Sequence, residues 1–401
     1  MKVLFLCGVF AEENEPEIIM KAKRPIEYSA NIMQKKLIHG LQSQNVDLQV
    51  LSAPFVGSFP NASRIFNLNW ETKEKHQYQY VNFNNIWGIR NFSRAKALKK
   101  AIIPFAKSKE EKKVIYVYSP HTPFLEAAVY AKKIDPTIKI CLILPDLPQY
   151  MNLNAKVSTL YKWGKKIDVD KFERLNQQVD SYMLLTEAMK EKVDTRKKPC
   201  VVIEGVIEKQ DLETQKESQS NKVKEEKLIV YTGKLNEKFG AKLLVDAFMK
   251  LKNPNYRLVL CGKGDAEQYI QGKCKEDGRI LYLGQVSALV AREWVQKADV
   301  LVNPRQNNEE YTKYSFPSKN IEYLLSGNPV VGYMLDGMPN DYTKFMYIVE
   351  GNQDVDLART IEAALYSEEE DRKEKYSSAC KYLQKLTAEE VAKELLNINH
   401  V

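Results

Sequence analysis

The sequence predicts an α/β protein of two domains, and three observations lead to this prediction. The chain has 401 residues, too many for one ordinary hydrophobic core and enough for two domains of roughly 200 residues each. Short β-rich apolar runs alternate with segments whose apolar residues recur at helical spacing. Residues 206–227 carry few large apolar side chains, as is typical of a linker, so we place the domain boundary there.

The first domain is predicted to begin with a strand. Ser29 or Asn31 is placed to cap the helix that follows, because either side chain can bond to the free N–H groups of a helix start. A basic amphipathic helix is expected at residues 93–107, after a long irregular region at residues 54–85. Apolar runs predict strands at residues 2–6, 47–51, 114–118, 139–144, 180–185 and 200–203.

The second domain repeats this alternation. Helical spacing predicts helices through residues 243–251, 319–325 and 369–383, and a last helix that reaches about residue 396. Gly327 and Pro329 stop the short helix at residues 319–325. Apolar runs predict strands at residues 228–232, 257–261, 279–283 and 299–303, and another that begins at Val330.

Composition excludes several classes of protein. The six cysteines are scattered without paired spacing, which argues against a disulfide framework or a zinc site and favours a cytoplasmic location. The apolar run at residues 3–10 is short and precedes four glutamates, so it fits a buried strand better than a signal peptide. No stretch approaches the 18 or so apolar residues that a membrane helix needs.

Charge is distributed unevenly along the chain. Residues 1–205 carry 32 Lys and Arg against 21 Asp and Glu, a net charge of +11, whereas residues 206–401 carry 28 against 31, a net charge of −3. A basic half predicts contact with an anionic partner such as the inner-leaflet surface or a lipid-pyrophosphate acceptor. The helix at residues 93–107 either lies on an anionic bilayer or packs on the sheet with a solvated basic face. Nucleic acid is not expected as a partner, because the basic residues form no known binding motif.

Residues 311–331, YTKYSFPSKNIEYLLSGNPVV, contain the most informative pattern. Glu322 lies among apolar residues of the short helix, so we expect this carboxylate to have a partner. Glu322 followed by Gly-x-Pro-Val-Val resembles the nucleotide-sugar site of family 4 retaining glycosyltransferases, in a branch of bacterial polysaccharide enzymes. The alternative is a helix carboxylate that is favoured by the macrodipole of the first turn.

This resemblance implies a GT-B fold, in which two Rossmann-like domains face each other across a cleft. Residues 1–205 with 381–401 would form the acceptor-side domain, and residues 206–380 the nucleotide-sugar domain. The implied reaction transfers a hexose-like sugar, with retention, from a nucleotide-diphosphate sugar to a saccharide or lipid-linked acceptor in cell-surface polysaccharide synthesis. The sugar nucleotide is a co-substrate, so no cofactor is expected. The chain has no Asp-x-Asp motif, which implies a metal-independent enzyme.

The resemblance also assigns roles in the second domain. Glu322 corresponds to the glutamate that accepts hydrogen bonds from the nucleotide ribose. Tyr314 stands where the family carries a glutamate that contacts the donor sugar. Ser318 and Lys319 precede the helix, and Lys319 adds a cation near the nucleotide phosphates.

A second set of residues is expected to bind the diphosphate. Gly233 follows a predicted strand, and a glycine-containing basic loop before a helix binds pyrophosphate through amide groups and cations. The family has Arg directly after this glycine and Lys five residues later, whereas this chain has Lys234 and Phe239, with Lys238 adjacent. We expect Lys234 and Lys238 to act in catalysis and Gly262 to lie beside the nucleotide.

Three residues of the first domain are candidates because each follows a strand, where ligands of doubly wound folds gather. Gly8 either lets a ligand approach the backbone or serves as a simple turn glycine. His121 matches a family histidine near the donor sugar, or it satisfies backbone groups in a proline-bounded turn. Asp146 either binds an acceptor hydroxyl or caps the next segment.

Two other functions remain open. The chain could be a nucleotide-sugar epimerase or hydrolase of GT-B fold, for which an acidic or histidine pair near the sugar would be needed. It could also be a non-catalytic protein that binds sugar nucleotides. Turnover with and without an acceptor separates the three hypotheses.

Overall fold

The computed structural model describes residues 1–22, 28–66, 78–147, 159–193, 195, 197–213 and 226–399. It divides into two compact units, Met1–Ile207 with Leu386–Val401 and Glu208–Lys385. The irregular region at 54–85, the segment after Asp146 and the linker at 206–227 lie partly outside the described residues.

The first unit is built on a parallel sheet in the order β4-β2-β1-β6-β7-β8-β9. Every residue of β6 is buried, as expected of a parallel strand that is covered on both faces. A separate antiparallel pair joins β3 and β5. The strands are β1 (Lys2–Cys7), β2 (Asp47–Ser52), β3 (Ile65–Phe66), β4 (Tyr78–Tyr80), β5 (Phe83–Asn84), β6 (Lys113–Tyr118), β7 (Lys139–Leu144), β8 (Ser181–Leu184) and β9 (Cys200–Val202).

The helices of this unit correct two expectations. Neither Ser29 nor Asn31 is a cap: the helix already begins at Tyr28, and Asn31 accepts a hydrogen bond from the Phe10 amide at 2.9 Å inside it. The basic helix is interrupted after Ala101, and a new turn begins just before Pro104, whose ring cannot continue a helix interior. The helices are α1 (Glu15–Lys21), α2 (Tyr28–Gln42), α3 (Arg90–Ala101), α4 (Ile103–Ala106), α5 (Thr122–Ile134), α6 (Thr159–Asn176), α7 (Met189–Lys192) and the last helix of the chain, α15 (Ala388–Asn397).

Helix α15 belongs to the first unit although the chain reaches it last. The buried Tyr116 hydroxyl donates a hydrogen bond to the Leu395 carbonyl at 2.9 Å. The Ala388 amide donates to the Ile207 carbonyl at 2.8 Å, next to the place where the chain leaves this unit. Gly40 of α2 lets α15 approach, because a Cβ at Gly40 would lie 2.0 Å from the Ala388 carbonyl oxygen.

The second unit contains a parallel sheet in the order β12-β11-β10-β13-β14-β15. Its strands are β10 (Lys227–Thr232), β11 (Tyr256–Cys261), β12 (Ile280–Gly284), β13 (Val300–Asn303), β14 (Val330–Gly332) and β15 (Tyr347–Ile348). Its helices are α8 (Lys209–Glu213), α9 (Ala241–Lys250), α10 (Glu267–Glu276), α11 (Ala288–Lys297), α12 (Lys319–Leu325), α13 (Asp354–Leu365) and α14 (Glu369–Leu383).

Both sheets have the doubly wound arrangement that the sequence predicts. In the first unit β1 and β6 are neighbours in the sheet, and in the second unit β10 and β13 are. From each strand of such a pair, the strands that follow along the chain are added outward, so the two halves of the sheet grow in opposite directions. Ligands of such folds bind outside the carboxyl ends of the strands at this switch point. Within the described part of the chain, no helix has both the length and the apolar character required to cross a bilayer.

The contact between α2 and α15 is testable by comparing two helix glycines. Gly40→Ala places a methyl group against the Ala388 carbonyl, so we expect it to lower the free energy of unfolding by about 1–3 kcal/mol, the cost of overpacking. In Gly272→Ala, on α10, the added methyl group has no atom within 4 Å. We expect this variant to raise the free energy of unfolding by about 0.5–1 kcal/mol. Scanning calorimetry of both variants measures the difference, and equal transition temperatures would contradict the contact.

Candidate functional site

The switch point of the second unit lies between β10 and β13. Gly233 directly follows β10, and Pro304 directly follows β13. Gly262, the residue after β11, lies at the same edge because β11 is the other neighbour of β10. Three chain segments that the sequence singles out separately are thus adjacent at one end of one sheet.

The backbone itself requires a glycine at position 262. A Cβ there would lie 1.7 Å from the Gly233 carbonyl oxygen, and its φ of +144° is one that side chains disfavour. The amides of both glycines are engaged, that of Gly233 with the Cys261 carbonyl at 2.9 Å and that of Gly262 with the Gly284 carbonyl at 2.7 Å. Glycine at position 262 is therefore explained by packing, and its contact with a nucleotide stays a prediction.

The loop after Gly233 presents two lysines. Lys234 is exposed, and its carbonyl accepts a hydrogen bond from the Tyr231 hydroxyl at 3.0 Å. Lys238 is half-buried, with its Nζ 5.1 Å from the centre of the Phe239 ring. Asp265 holds the loop in place, because its carboxylate accepts from the Glu237 amide at 2.7 Å. The loop therefore has a defined shape while the Lys234 ammonium faces solvent.

Helix α12 is attached to two strand ends by buried polar contacts. The Thr232 amide donates to the Tyr323 hydroxyl at 2.8 Å, and that hydroxyl lies 3.2 Å from the Thr232 carbonyl. The Asn303 side chain donates to the Asn320 side chain at 2.6 Å. These bonds place the start of α12 beside the ends of β10 and β13. Sequence reasoning missed these three side chains, although two of them, Asn320 and Tyr323, lie on either side of Glu322 on the helix.

Lys319 and Glu322 form an ion pair on the solvent side of α12. Their charged atoms are 2.6 Å apart, and the Glu322 side chain is 46 % exposed. The expectation that Glu322 has a partner is confirmed, but its supposed position close to an apolar surface is wrong. Periodicity explains the error, because the apolar residues on either side of Glu322 point to the opposite face of the helix.

The Lys319 ammonium also influences the thiol of Cys261, the last residue of β11. Burial raises the pKa of the Cys261 thiol, and the Lys319 ammonium opposes that rise, so its charge lies close to the Cys261–Gly262 turn. Ser318, the residue before the helix, is exposed, and its side chain forms no cap. The half-buried cation of Lys319 thus lies close to the end of β11 and is paired with the exposed carboxylate of Glu322.

Tyr314 lies in a different environment from the other predicted residues. It ends a short 3-10 helix, Glu310–Tyr314, and only 6 % of its surface is exposed. Little of this side chain is available to a ligand in the structure. Its proposed place beside the donor sugar stays a prediction.

In the first unit, Gly8 and His121 lie at the switch point between β1 and β6. The Gly8 amide donates to the Gln34 side chain at 2.8 Å, and a Cβ on Gly8 would lie 2.5 Å from the Phe55 ring. Packing against Phe55 therefore accounts for this glycine. Asp146 is exposed two residues after β7, and part of the segment that follows it lies outside the described residues.

His121 is the residue before α5 and is bonded to a buried arginine. Arg94 Nη1 lies 3.2 Å from His121 Nε2, and Arg94 Nη2 donates to the Pro54 carbonyl at 2.8 Å. A guanidinium can only donate, so His121 Nε2 accepts and the imidazole proton is on Nδ1. Burial, and then the charges of Arg94 and Arg90, hold the pKa of His121 well below its ordinary value. His121 is therefore a neutral group whose Nδ1–H is a hydrogen-bond donor.

Comparisons with known proteins agree with this architecture. Residues 213–381 match the family Glycosyl transferases group 1. A stretch of 118 residues, 28% of this chain, is 29% identical to the uncharacterized glycosyltransferase MJ1607 of Methanocaldococcus jannaschii. The match spans 29% of that relative's length.

Solved structures resemble the chain over nearly its whole length. HepE of Anabaena in complex with UDP has a TM-score of 0.62 at 14% identity and covers 99% of both chains. Sucrose-phosphate synthase of Thermosynechococcus elongatus has a TM-score of 0.64 at 15% identity and covers 100% of this chain and 98% of its own. At these identities the likeness concerns the fold. The chain therefore has the GT-B fold, and its residues 213–381 are similar to the Glycosyl transferases group 1 family.

Proposed function

We propose that the protein is a retaining glycosyltransferase of the family 4 type that uses a nucleotide-diphosphate sugar. The observation that supports this best is the grouping of Lys319 and Glu322 with the Gly233 and Gly262 turns at the switch point of the second unit. A nucleoside diphosphate needs cations for its phosphates and a carboxylate for its ribose hydroxyls, and this edge offers both. The acceptor in this proposal is a saccharide or a lipid-linked sugar of cell-surface polysaccharide synthesis.

The proposed chemistry follows from where charge develops. The bond between the sugar C1 and the leaving phosphate oxygen breaks while C1 bonds to the acceptor oxygen, and the acceptor proton passes to the leaving diphosphate. Negative charge grows on that diphosphate, so Lys234, Lys238 and Lys319 stabilise the transition state more than the ground state. This mechanism uses no metal ion and no protein base.

The ion pair between Lys319 and Glu322 on α12 can be replaced by contacts of both side chains with a ligand. An exposed pair contributes only about 0–1 kcal/mol, so a ligand displaces it at small cost. Lys319 can then turn to a phosphate while Glu322 accepts from two ribose hydroxyls. Charge-assisted hydrogen bonds of this kind are stronger than the exposed pair they replace.

Product analysis separates the proposal from its alternatives. The purified protein is incubated with UDP-, GDP- and ADP-sugars, each with and without a lipid-linked acceptor, and free nucleoside diphosphate and sugar isomers are measured. UDP is the first nucleotide to test because HepE, a neighbour in fold, was solved with UDP and with UDP and glucose. Acceptor-dependent release of diphosphate supports transfer. Release of nucleoside diphosphate without acceptor indicates a hydrolase. Isomerisation of the donor sugar indicates an epimerase, and tight binding without turnover indicates a non-catalytic protein.

A second proposal concerns membrane attachment, with an apolar patch of the first unit as the contact. The patch consists of five exposed large side chains: Phe59, Ile65, Trp87, Ile89 and Phe92. Backbone contacts join their segments, because Phe59 bridges to Ile86 and Ile65 pairs with Asn84. Exposed apolar clusters of this kind mark interaction sites.

Charge around the patch favours an anionic bilayer as its partner. Among the described residues of 48–109, basic side chains are frequent and acidic ones are absent. The lysines of α3 alone do not carry this proposal, because Lys99 is already paired with Glu126 at 2.7 Å. Aromatic side chains that insert at the headgroup level, together with surrounding cations, are the features of interfacial binding. The basic residues that are exposed or half-buried are Arg64, Arg90, Lys96, Lys99, Lys100, Lys107 and Lys109.

Donor binding should depend on Glu322. We expect Glu322→Ala to weaken binding of the best nucleoside diphosphate by about 10- to 100-fold, because hydrogen bonds to a charged group contribute about 1.5–3 kcal/mol. Isothermal titration calorimetry measures the dissociation constant. Glu293→Ala is the matched control, since Glu293 is likewise an exposed helix glutamate paired with a lysine. An affinity equal to that of wild type would remove Glu322 from the site.

Membrane attachment should depend on the apolar patch. We expect Phe92→Ser to reduce cosedimentation with phosphatidylglycerol vesicles at least about tenfold, because burying a large apolar side chain contributes about 1.5–3 kcal/mol. Leu289→Ser in the second unit is the control, since both side chains are 74 % exposed. Equal loss in both variants, or no sedimentation of the wild type, would contradict this contact.

A further inference from the structure

Arg305 is a basic residue at the switch point that the sequence patterns do not single out. It is the second residue after β13, and Pro304 lies between. The Pro304 carbonyl packs closely on the Gly240 backbone, because a Cβ on Gly240 would lie 2.1 Å from the Pro304 carbonyl oxygen. Gly240 ends the turn after Phe239 and precedes α9. The backbone that carries Arg305 is thus placed directly against the loop that carries Lys234 and Lys238.

The guanidinium of Arg305 is held between two aromatic rings. Its Cζ lies 4.9 Å from the centre of the Tyr311 ring and 5.5 Å from that of Phe239. Nη2 donates to the Ser315 hydroxyl at 2.6 Å. Contacts with aromatic rings and a hydrogen bond restrict the guanidinium, so less entropy is lost when it binds a ligand.

Arg305 also lies close to the strand end that precedes Lys234. Burial raises the pKa of Tyr231 to about 12, and the Arg305 charge opposes that rise. The same Tyr231 hydroxyl donates to the Lys234 carbonyl at 3.0 Å. Lys234 and Arg305 therefore flank one tyrosine at the ends of the two strands that define the switch point.

Two differences from the family pattern change the cations that this loop carries. Position 239 is Phe where the resemblance described above expects Lys, and position 234 is Lys where it expects Arg. The loop thus has no cation at position 239, and at position 234 it lacks the planar fork that binds two phosphate oxygens at once. Arg305 supplies both, and it reaches the Phe239 position from the neighbouring strand.

We propose that Arg305 binds the diphosphate of the donor, in the role that a lysine at position 239 would otherwise have. The inference rests on the proposed function, because it names a further residue of the same nucleotide-sugar site. The guanidinium offers two parallel N–H groups to phosphate oxygens, and Lys234 lies on the other side of the switch point. Position 239 thus carries an aromatic ring instead of a lysine, and this ring orients the Arg305 guanidinium.

The experiment compares dissociation constants for a nucleoside, its monophosphate and its diphosphate. Wild-type protein is first titrated with UDP, GDP and ADP, and the tightest of these defines the series. We expect Arg305→Met to weaken diphosphate binding by about 10- to 100-fold and nucleoside binding less than twofold. Lys313→Met is the matched control, because it removes an exposed cation from the neighbouring 3-10 helix. Its affinities should equal those of wild type.

A charge-relocation variant separates binding from structural support. Phe239→Lys in the Arg305→Met background should regain at least about tenfold in diphosphate affinity, since it returns a cation to position 239. If Arg305→Met does not fold, Arg305→Gln, which keeps an N–H for Ser315, takes its place in both comparisons.

Three outcomes count against the inference. Equal losses for the nucleoside and the diphosphate would show that Arg305 only holds the loop. Wild-type affinity in Arg305→Met would overturn the inference and leave the proposed function intact. Wild-type protein that binds no nucleoside diphosphate would overturn the proposed function, and the inference with it.

Discussion

The site in the second unit depends on one buried hydroxyl. Tyr323 is fully buried, and its hydroxyl contacts both the amide and the carbonyl of Thr232, the last residue of β10. Burial raises the pKa of Tyr323, so the phenol stays protonated and can donate as well as accept. A buried pair of this kind is expensive to break, because a backbone amide and a carbonyl would each lose a hydrogen-bond partner away from water. The attachment of α12 to β10 therefore decides where Lys319 and Glu322 lie.

The two units use the same topology with different electrostatics. The switch point of the second unit presents the exposed Lys234 and the half-buried Lys319, and Lys319 is paired with the exposed carboxylate of Glu322. This arrangement is suited to a ligand with several negative charges. At the switch point of the first unit the cation, Arg94, is buried, and the group beside it is the neutral His121. A neutral donor is suited to hydroxyl groups. This contrast fits a protein in which one unit binds a diphosphate and the other binds saccharide.

The errors of sequence reasoning in this chain have physical causes. Asn31 has the side chain of a helix cap, but the backbone of Phe10 competes for that side chain and lies 21 residues away in sequence. Glu322 stands between apolar residues in the sequence, yet helical geometry directs it to solvent. Lys99 belongs to a basic stripe, and only the folded chain brings Glu126 to it. For Asn31 and Lys99 a contact between distant residues outweighed a local preference, whereas for Glu322 the helical period decided which way the side chain points.

The sequence by itself determined the two α/β units, the order of their main strands along the chain, and the segments 233–240 and 318–322 as candidates. These follow from apolar periodicity and from glycines and prolines, which act over a few residues. Tertiary structure decided which segments meet, namely the carboxyl ends of β10, β11 and β13, and thereby added Tyr323, Asn303 and Arg305. Strand order in a parallel sheet depends on packing between residues far apart in the chain, and local sequence patterns carry no record of it.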